Sequence, residues 1–371
     1  MAKNLSIFSF FAGSGLLDLG FEDNGYQIVF VNEYSEPFLD AYKSVREKNN
    51  YKKPKYGYSN NNIEDYLSDK NNKILRQNLK KEQKLDNFTG FIGGPPCPDF
   101  SVGGKNKGRA GDNGKLTGIY FNLICDLLPD FFIFENVKGL WRTKKHRDFY
   151  EEMKTNIHAR GYTTTEQLMN SIEFGVPQDR DRIILFGIKK KVINKNNNIN
   201  EFNWDMFKVY NKNDVFNLDW PTKNKFQEQI SIPENIINEL TVSYWFSKNG
   251  VDNHFNTYDQ FLPRAGLSKF KTIDEGDVSK KSYKRLHRYR FSPTAAYGNN
   301  EVHIHPTEAR RISVAEALAI QSLPSFFTLP NEMSLTQKFK TIGNGVPYLL
   351  AKGVSGSISN FFNTSVAGNQ L

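Results

Sequence analysis

Residues 5–15 read Leu5-Ser6-Ile7-Phe8-Ser9-Phe10-Phe11-Ala12-Gly13-Ser14-Gly15, followed at once by Leu16-Leu17-Asp18-Leu19-Gly20-Phe21. The apolar run at 5–11 is short enough for one buried strand. Ala12 to Gly15 make a tight turn, and Leu16 to Asn24 has helical spacing with Leu16, Leu17, Leu19, Gly20 and Phe21 on its packed side. A second strand, Gln27–Val31, ends at Asn32-Glu33, and a helix is expected over Pro37–Lys48. Residues 49–84, rich in Lys and Asn, read as an exposed insertion with one or two helices. Strands recur at Phe88–Ile92, Phe131–Phe134 and Ile183–Ile188, with helical patterns between. Strands alternating with helices over about 190 residues predict an α/β fold, a doubly wound and mostly parallel sheet.

The polar, basic run Lys189-Lys190-Lys191-Val192-Ile193-Asn194-Lys195-Asn196-Asn197-Asn198 breaks this rhythm and reads as a domain boundary. Residues 199 to 300 then show short aromatic segments without helical period. A helix returns from Ile312 to Leu323, with Ser313 as N-cap and Glu316 at the capping-box position. Gly343-Asn344-Gly345-Val346-Pro347 precedes a last apolar helix. The formal charge of +9, from 49 basic and 40 acidic residues, favours a polyanionic partner. Two cysteines build neither a disulfide framework nor a four-cysteine zinc site, so no metal is expected. No apolar run suits a membrane span, and the N-terminus does not read as a signal peptide, so a cytoplasmic location is expected.

Three places carry candidate chemistry. Gly13-x-Gly15 follows the first strand, and Glu33 ends the second, where a carboxylate can accept hydrogen bonds from both ribose hydroxyls of an adenosine. No third glycine prepares a pyrophosphate cradle, so an adenosine cofactor without phosphates, S-adenosylmethionine, fits best. Next, Gly93-Gly94-Pro95-Pro96-Cys97-Pro98-Asp99-Phe100-Ser101 presents Cys97 at a strand end. Two prolines stiffen the turn before the thiol, which is how a nucleophile is held; a buried structural cysteine is the alternative. Cys125, in the helix-like Ile119–Leu128, fits that plainer reading. Finally, Glu135 stands at the rim of Phe131–Phe134, and Arg180 and Arg182 in Gln178-Asp179-Arg180-Asp181-Arg182 lie two apart before a strand, pointing the same way. A helix N-terminus could equally satisfy Glu135, and the arginines could form a surface ion-pair cluster.

In order and context these segments resemble the C5-cytosine DNA methyltransferases over nearly the whole chain. The carrying blocks are Phe11–Gly15, Asn32-Glu33-Tyr34, Gly94-Pro95-Pro96-Cys97, Glu135-Asn136-Val137 and Gln178–Arg182, then Arg311–Ala317 through Gln321–Pro324, and Gly343–Pro347. The resemblance implies that Cys97 attacks C6 of a flipped-out cytosine as the thiolate. Glu135 would bind N3 and the exocyclic amine, Arg182 the O2, and Arg180 would steady the cysteine loop or a phosphate. The base that takes the C5 proton is not identified, and a water can serve. For S-adenosylmethionine, leaving as S-adenosylhomocysteine, the resemblance implies Phe11 near the adenine and Ala12, Gly13 and Gly15 along the methionine part. Glu33 and Tyr34 would lie at the ribose, Asn62 and Ile63 beside the adenine, and Gly94, Pro96, Asn344 and Val346 would close the pocket. Asn62 stands where the family has aspartate, and its carbonyl can accept a hydrogen bond there. Pro98 replaces a common glutamine, Ser9 an acid, and Ala315 an arginine.

The glycine- and lysine-rich stretch 101–118, with Ser101, Lys105 and Lys107, would be the mobile loop that closes over DNA. Residues 190–334 would form the target-recognition domain and hinge, and 1–189, completed by 335–371, the catalytic domain. Lys280–Arg290 is the most basic stretch there, and Lys284, Arg285, Arg288 and Arg290 would track the backbone of double-stranded DNA. The expectation is thus a monomeric modification enzyme of a restriction–modification system, with a nuclease sharing its target but not bound. A tRNA cytosine-5 methyltransferase and an inactive nucleic-acid-binding regulator are the alternatives.

Overall fold

A computed structural model describes residues 4–96, 112–194, 197–263, 266–295, 297 and 301–366. In chain order these form β1 (Leu5–Phe10), α1 (Leu16–Glu22), β2 (Gln27–Asn32), α2 (Glu36–Lys48), β3 (Tyr58–Ser59), α3 (Asp69–Lys84), β4 (Phe88–Gly93), α4 (Asp112–Leu127), β5 (Phe131–Val137), α5 (Lys138–Arg142), α6 (Lys144–Ala159), β6 (Tyr162–Asn170) and β7 (Asp181–Lys189). Beyond them come α7 (Lys212–Phe216), α8 (Val242–Lys248), α9 (Leu267–Thr272), α10 (Val314–Ile320), α11 (Leu335–Asn344) and α12 (Tyr348–Ser365).

One sheet of seven strands runs β3-β2-β1-β4-β5-β7-β6. Its first five strands are parallel, and β7 is antiparallel to both neighbours. Both faces are covered, which is why β1, β4, β5 and β7 read as near-continuous apolar runs. Leu5, Ile7, Phe131, Ile133, Ile184 and Phe186 meet Phe21 of α1 and Leu350, Val354 and Ile358 of α12 on one face. Phe8, Phe10, Phe91, Phe132 and Phe134 meet α3, α4 and α6 on the other. The two serines inside β1 are satisfied on opposite faces: Ser6 donates to Glu82 at 2.8 Å and Ser9 to Asp18 at 2.8 Å.

One expectation needs correction. Residues 49–84 are more than an exposed insertion: Ile63, Tyr66, Leu75 and Leu79 are buried and roof the aromatic face of the sheet. β6 is a strand that the apolar pattern of the sequence does not mark. Its centre, Thr163-Thr164-Thr165-Glu166-Gln167, has no apolar alternation because it is an edge strand. Arg147, Tyr150 and Lys154 of α6 lie against it through Glu166. The capping box of α10 is as expected, Ser313 accepting from the Glu316 amide and Glu316 from the Ser313 amide. Among the described residues no helix is long and apolar enough to cross a membrane.

Candidate active site

The chain leaves β1 toward β2 on one side, and β4 lies on the other, so a crevice opens at their carboxyl ends. This is the switch point where open α/β sheets take ligands. Phe10 pairs with Gly93, so the turns Phe11–Gly15 and Gly94–Pro96 emerge side by side. Phe11 and Gly13 both have positive φ, 53° and 57°, a tightly folded turn. Glu33, at the end of β2, accepts the Gly13 amide at 2.8 Å and the Ser35 amide at 2.8 Å. A carboxylate has about four acceptor sites, so these two bonds orient it and leave acceptor capacity for a diol. Burial pushes its pKa up, against the two amides and the Lys340 charge. A carboxylate acceptor so placed can take the two hydroxyls of a ribose.

Other cofactor candidates fall less simply. The Cβ that Gly15 lacks would strike Arg46 Nη1 at 2.3 Å, so this glycine, at φ 85°, makes room for the Arg46 side chain. Asn62 spends its carbonyl capping the helical turn Ile63–Leu67, accepting from Glu64 N at 3.1 Å. An asparagine before a helical turn is drawn to the cap, and the second lone pair of its carbonyl remains an acceptor. Ile63 is buried among Phe10 and Phe30, Tyr34 is 72% exposed, and Ala12 N donates to Asn32 O at 3.3 Å. Asn344, exposed, ends α11, and Val346 is buried against the α1 side of the sheet. The Ser14 and Thr341 hydroxyls are hydrogen-bonded, tying the first turn to α11, a contact of 327-residue separation that no local pattern signals.

Glu135 lies on the same face of β5 as Phe131 and Ile133, at its open end. Arg182, at the start of antiparallel β7, pairs with Val137 and so reaches diagonally back to Glu135, Nε to Oε1 at 2.8 Å. The two side chains are 9% and 10% exposed. Burial raises the Glu135 pKa, while Arg182 and then Arg180 oppose the rise. The space a Cβ of Gly94 would fill is 2.6 Å from Glu135 Oε2, so the strand end leading to Cys97 passes directly over the carboxylate. Pro96 is partly buried at the end of the described segment. Cys97, Ser101, Lys105 and Lys107 lie outside the described residues. Cys125 is half-buried, and burial pushes its thiol up, as befits a structural cysteine.

Arg180 is held inside the protein. It is 1% exposed and its fork holds three carbonyls: Ala295 at 3.0 Å, Gly343 at 2.8 Å and Gly345 at 3.0 Å. Those bonds commit Nη1 to Ala295 and Nη2 to the return segment 343–345. Arg285 departs from expectation. It is fully buried, with Nε on Ile273 O at 2.9 Å, Nη1 on Glu308 O at 2.8 Å and Nη2 on Phe270 O. Arg288 is gripped by the buried Glu275 at 2.7 Å, and Arg290 donates to Pro221 O at 3.3 Å. Within the basic stretch Arg285 is therefore an internal clamp: a guanidinium has five donors and gathers carbonyls in a region with little regular structure. Lys284 alone of the four stays partly exposed without a side-chain bond to a carbonyl or carboxylate among those described. Among the described residues no group of His, Cys, Asp and Glu could hold a metal ion.

The family model for C-5 cytosine-specific DNA methylase matches residues 5–360. The "Type II methyltransferase M.NmeDI" of Neisseria meningitidis serogroup C is 55% identical over 359 residues, covering 97% of this chain and 84% of that one. "Type II methyltransferase M.FnuDI" of Fusobacterium nucleatum is 28% identical over 375 residues, 96% of each chain. Among solved structures, a "putative DNA modification methyltransferase" encoded within an E. coli prophage superposes with TM-score 0.64 at 20% identity, covering 97% of this chain and 100% of that one. Spodoptera frugiperda DNMT2 follows at 0.59 and 16% identity, over 96% and 100%; at these identities both show the fold alone.

Proposed function

The chain belongs to the C-5 cytosine-specific DNA methylase family, and from that premise we propose that Cys97, Glu135 and Arg182 carry the transfer. The enzyme is a DNA (cytosine-5-)-methyltransferase, and S-adenosylmethionine is its methyl donor. That donor supplies an electrophilic methyl on a sulfonium. Glu33 would hold the ribose hydroxyls, with Phe11, Ala12, Gly13, Gly15, Tyr34, Asn62, Ile63, Gly94, Pro96, Asn344 and Val346 around the remainder.

A neutral cytosine is a poor nucleophile at C5. The Cys97 thiolate would add to C6, forming an S–C6 bond and pushing the C5–C6 electron pair to C5 and the ring. Glu135, its pKa raised, would hold a proton for N3 and accept from the exocyclic amine. Arg182 fixes that carboxyl and would donate to O2. C5 then takes the methyl, a base removes the C5 proton, and the electrons returning to C5–C6 expel the sulfur. The target must leave the duplex to meet these groups. The observation that carries this reading is the Glu135–Arg182 pair directly beneath the backbone of Gly94, three residues before the nucleophile.

Residues 1–189 with 335–371 would form the catalytic domain and 190–334 the target-recognition domain and hinge, closing on double-stranded DNA. Ser101, Lys105, Lys107 and Lys284 would meet phosphates. Relatives named Type II methyltransferases support a role as the modification enzyme of a restriction–modification system. It would act as a cytoplasmic monomer, its nuclease sharing the target but not bound. The family favours this reading over a tRNA methyltransferase or an inactive regulator. Bisulfite sequencing of plasmid from expressing cells is expected to show protected cytosines in one recurring sequence, lost with Cys97→Ser. Full conversion with the wild-type chain would overturn it.

A further inference from the structure

We propose that Arg46 is a positioning residue for the methyl donor, bracing the Ser14–Gly15 turn from its buried side. The inference rests on the donor assignment above. Arg46 comes from α2, and its side chain is 2% exposed. Nη1 donates to Ser14 O at 3.2 Å and Nη2 to Gly15 O at 2.8 Å. Glu22 of α1 accepts from Nη2 at 2.8 Å and from Nε at 3.2 Å. The guanidinium lies 4.1 Å from the centre of the Tyr42 ring. Tyr42 in turn donates to Asp18 at 2.9 Å, and Ser9 of β1 to the other oxygen of Asp18 at 2.8 Å.

The turn is therefore gripped on two sides. Its carbonyls point inward to Arg46, and its Gly13 amide points to Glu33. Gly15 is glycine because a Cβ would stand 2.3 Å from Arg46 Nη1 and 2.7 Å from Tyr42 Cδ2. The second glycine of the turn thus serves the brace. Only a planar fork meets two successive carbonyls and a carboxylate together; a lysine ammonium could keep Glu22 but would release the turn. Freed carbonyls let Gly13 move, and with it the carboxylate that its amide orients.

The test is calorimetric affinity for S-adenosylhomocysteine in Arg46→Lys, with DNA affinity and melting temperature measured alongside. Loss of a charge-assisted bond to the turn is expected to weaken S-adenosylhomocysteine about tenfold and leave DNA affinity within about twofold. Leu79→Ala, a cavity on the opposite face of the sheet, controls for lost stability and is expected to keep wild-type affinity. Unchanged affinity in Arg46→Lys, or an equal loss in Leu79→Ala, would overturn the brace. Should Arg46→Lys not fold, Glu22→Gln weakens the anchor while keeping its shape. It is expected to cost about threefold in affinity, the weight of part of one hydrogen bond; no change there would also overturn the brace. A wild-type chain that bound no S-adenosylhomocysteine would sink the donor assignment itself, a distinct result.

Discussion

Substituting Gly94→Ala is expected to cripple the chemistry while sparing the fold. The added Cβ would stand 2.6 Å from Glu135 Oε2, about 0.8 Å inside the 3.4 Å of ordinary contact. Gly94 does not have positive φ, so the backbone admits alanine. What must give is the tip of a carboxylate already fixed at 2.8 Å by Arg182 Nε. A shift of that size stretches the pair past hydrogen-bond range, forfeiting about 1.5–3 kcal/mol of charge-assisted bonding. If that geometry matters most as charge develops on the ring, the loss appears in kcat, between about tenfold and a hundredfold. The assay is transfer of labelled methyl to DNA at saturating donor, with S-adenosylhomocysteine and DNA affinities as controls. Wild-type kcat in Gly94→Ala would refute the placement of Glu135 beneath the strand end.

Further outcomes follow from other buried groups. Arg180→Lys replaces a fork on three carbonyls with one ammonium and is expected to cost about 2–4 kcal/mol in denaturant unfolding, since breaking a buried charged network is among the larger losses. Lys284→Ala is expected to lower the salt slope of DNA binding by about one, whereas Arg285→Ala loses stability with the slope intact. Asp18 has its pKa raised to about 6, chiefly by burial, with Arg46 opposing. Its native pKa exceeds the unfolded value of about 4, so its contribution is fully present below pH ~4 and is lost as pH rises through ~6. Asp18→Asn should therefore flatten the fall in stability across that window in pH-dependent unfolding. Glu82 has the opposite sign: its pKa is lowered to about 2, where Lys55, Tyr56, Asn87 and Ser6 outweigh burial. Its stabilisation is present above the usual carboxylate range and lost as pH falls toward 2, and Glu82→Gln should remove that acid-side loss.

The core of the sheet was legible because strands buried on both faces leave unbroken apolar runs, as Phe131–Phe134 in parallel β5 and Ile183–Ile188 in antiparallel β7 show. Glu135 and Arg182 were legible because each ends such a run. β6 was hidden because an edge strand is held by backbone pairing and by Glu166, neither of which leaves hydrophobic alternation. Arg285 and Arg288 were read as phosphate contacts for one shared reason. A basic residue that gathers carbonyls or a buried carboxylate looks, in sequence, like one that faces phosphate. Arg46 drew no notice because its partners are the carbonyls of Ser14 and Gly15, groups every residue carries.

The covalent step is the centre of the account, and intact-mass measurement tests it most directly. Wild-type protein incubated with S-adenosylmethionine and target DNA carrying 5-fluorocytosine cannot lose a proton from C5, so the adduct should persist as one protein–DNA mass. The same mixture with Cys97→Ser should show the two masses apart. Methyl transfer to normal DNA with no trapped species on the fluorinated site would contradict nucleophilic attack by Cys97.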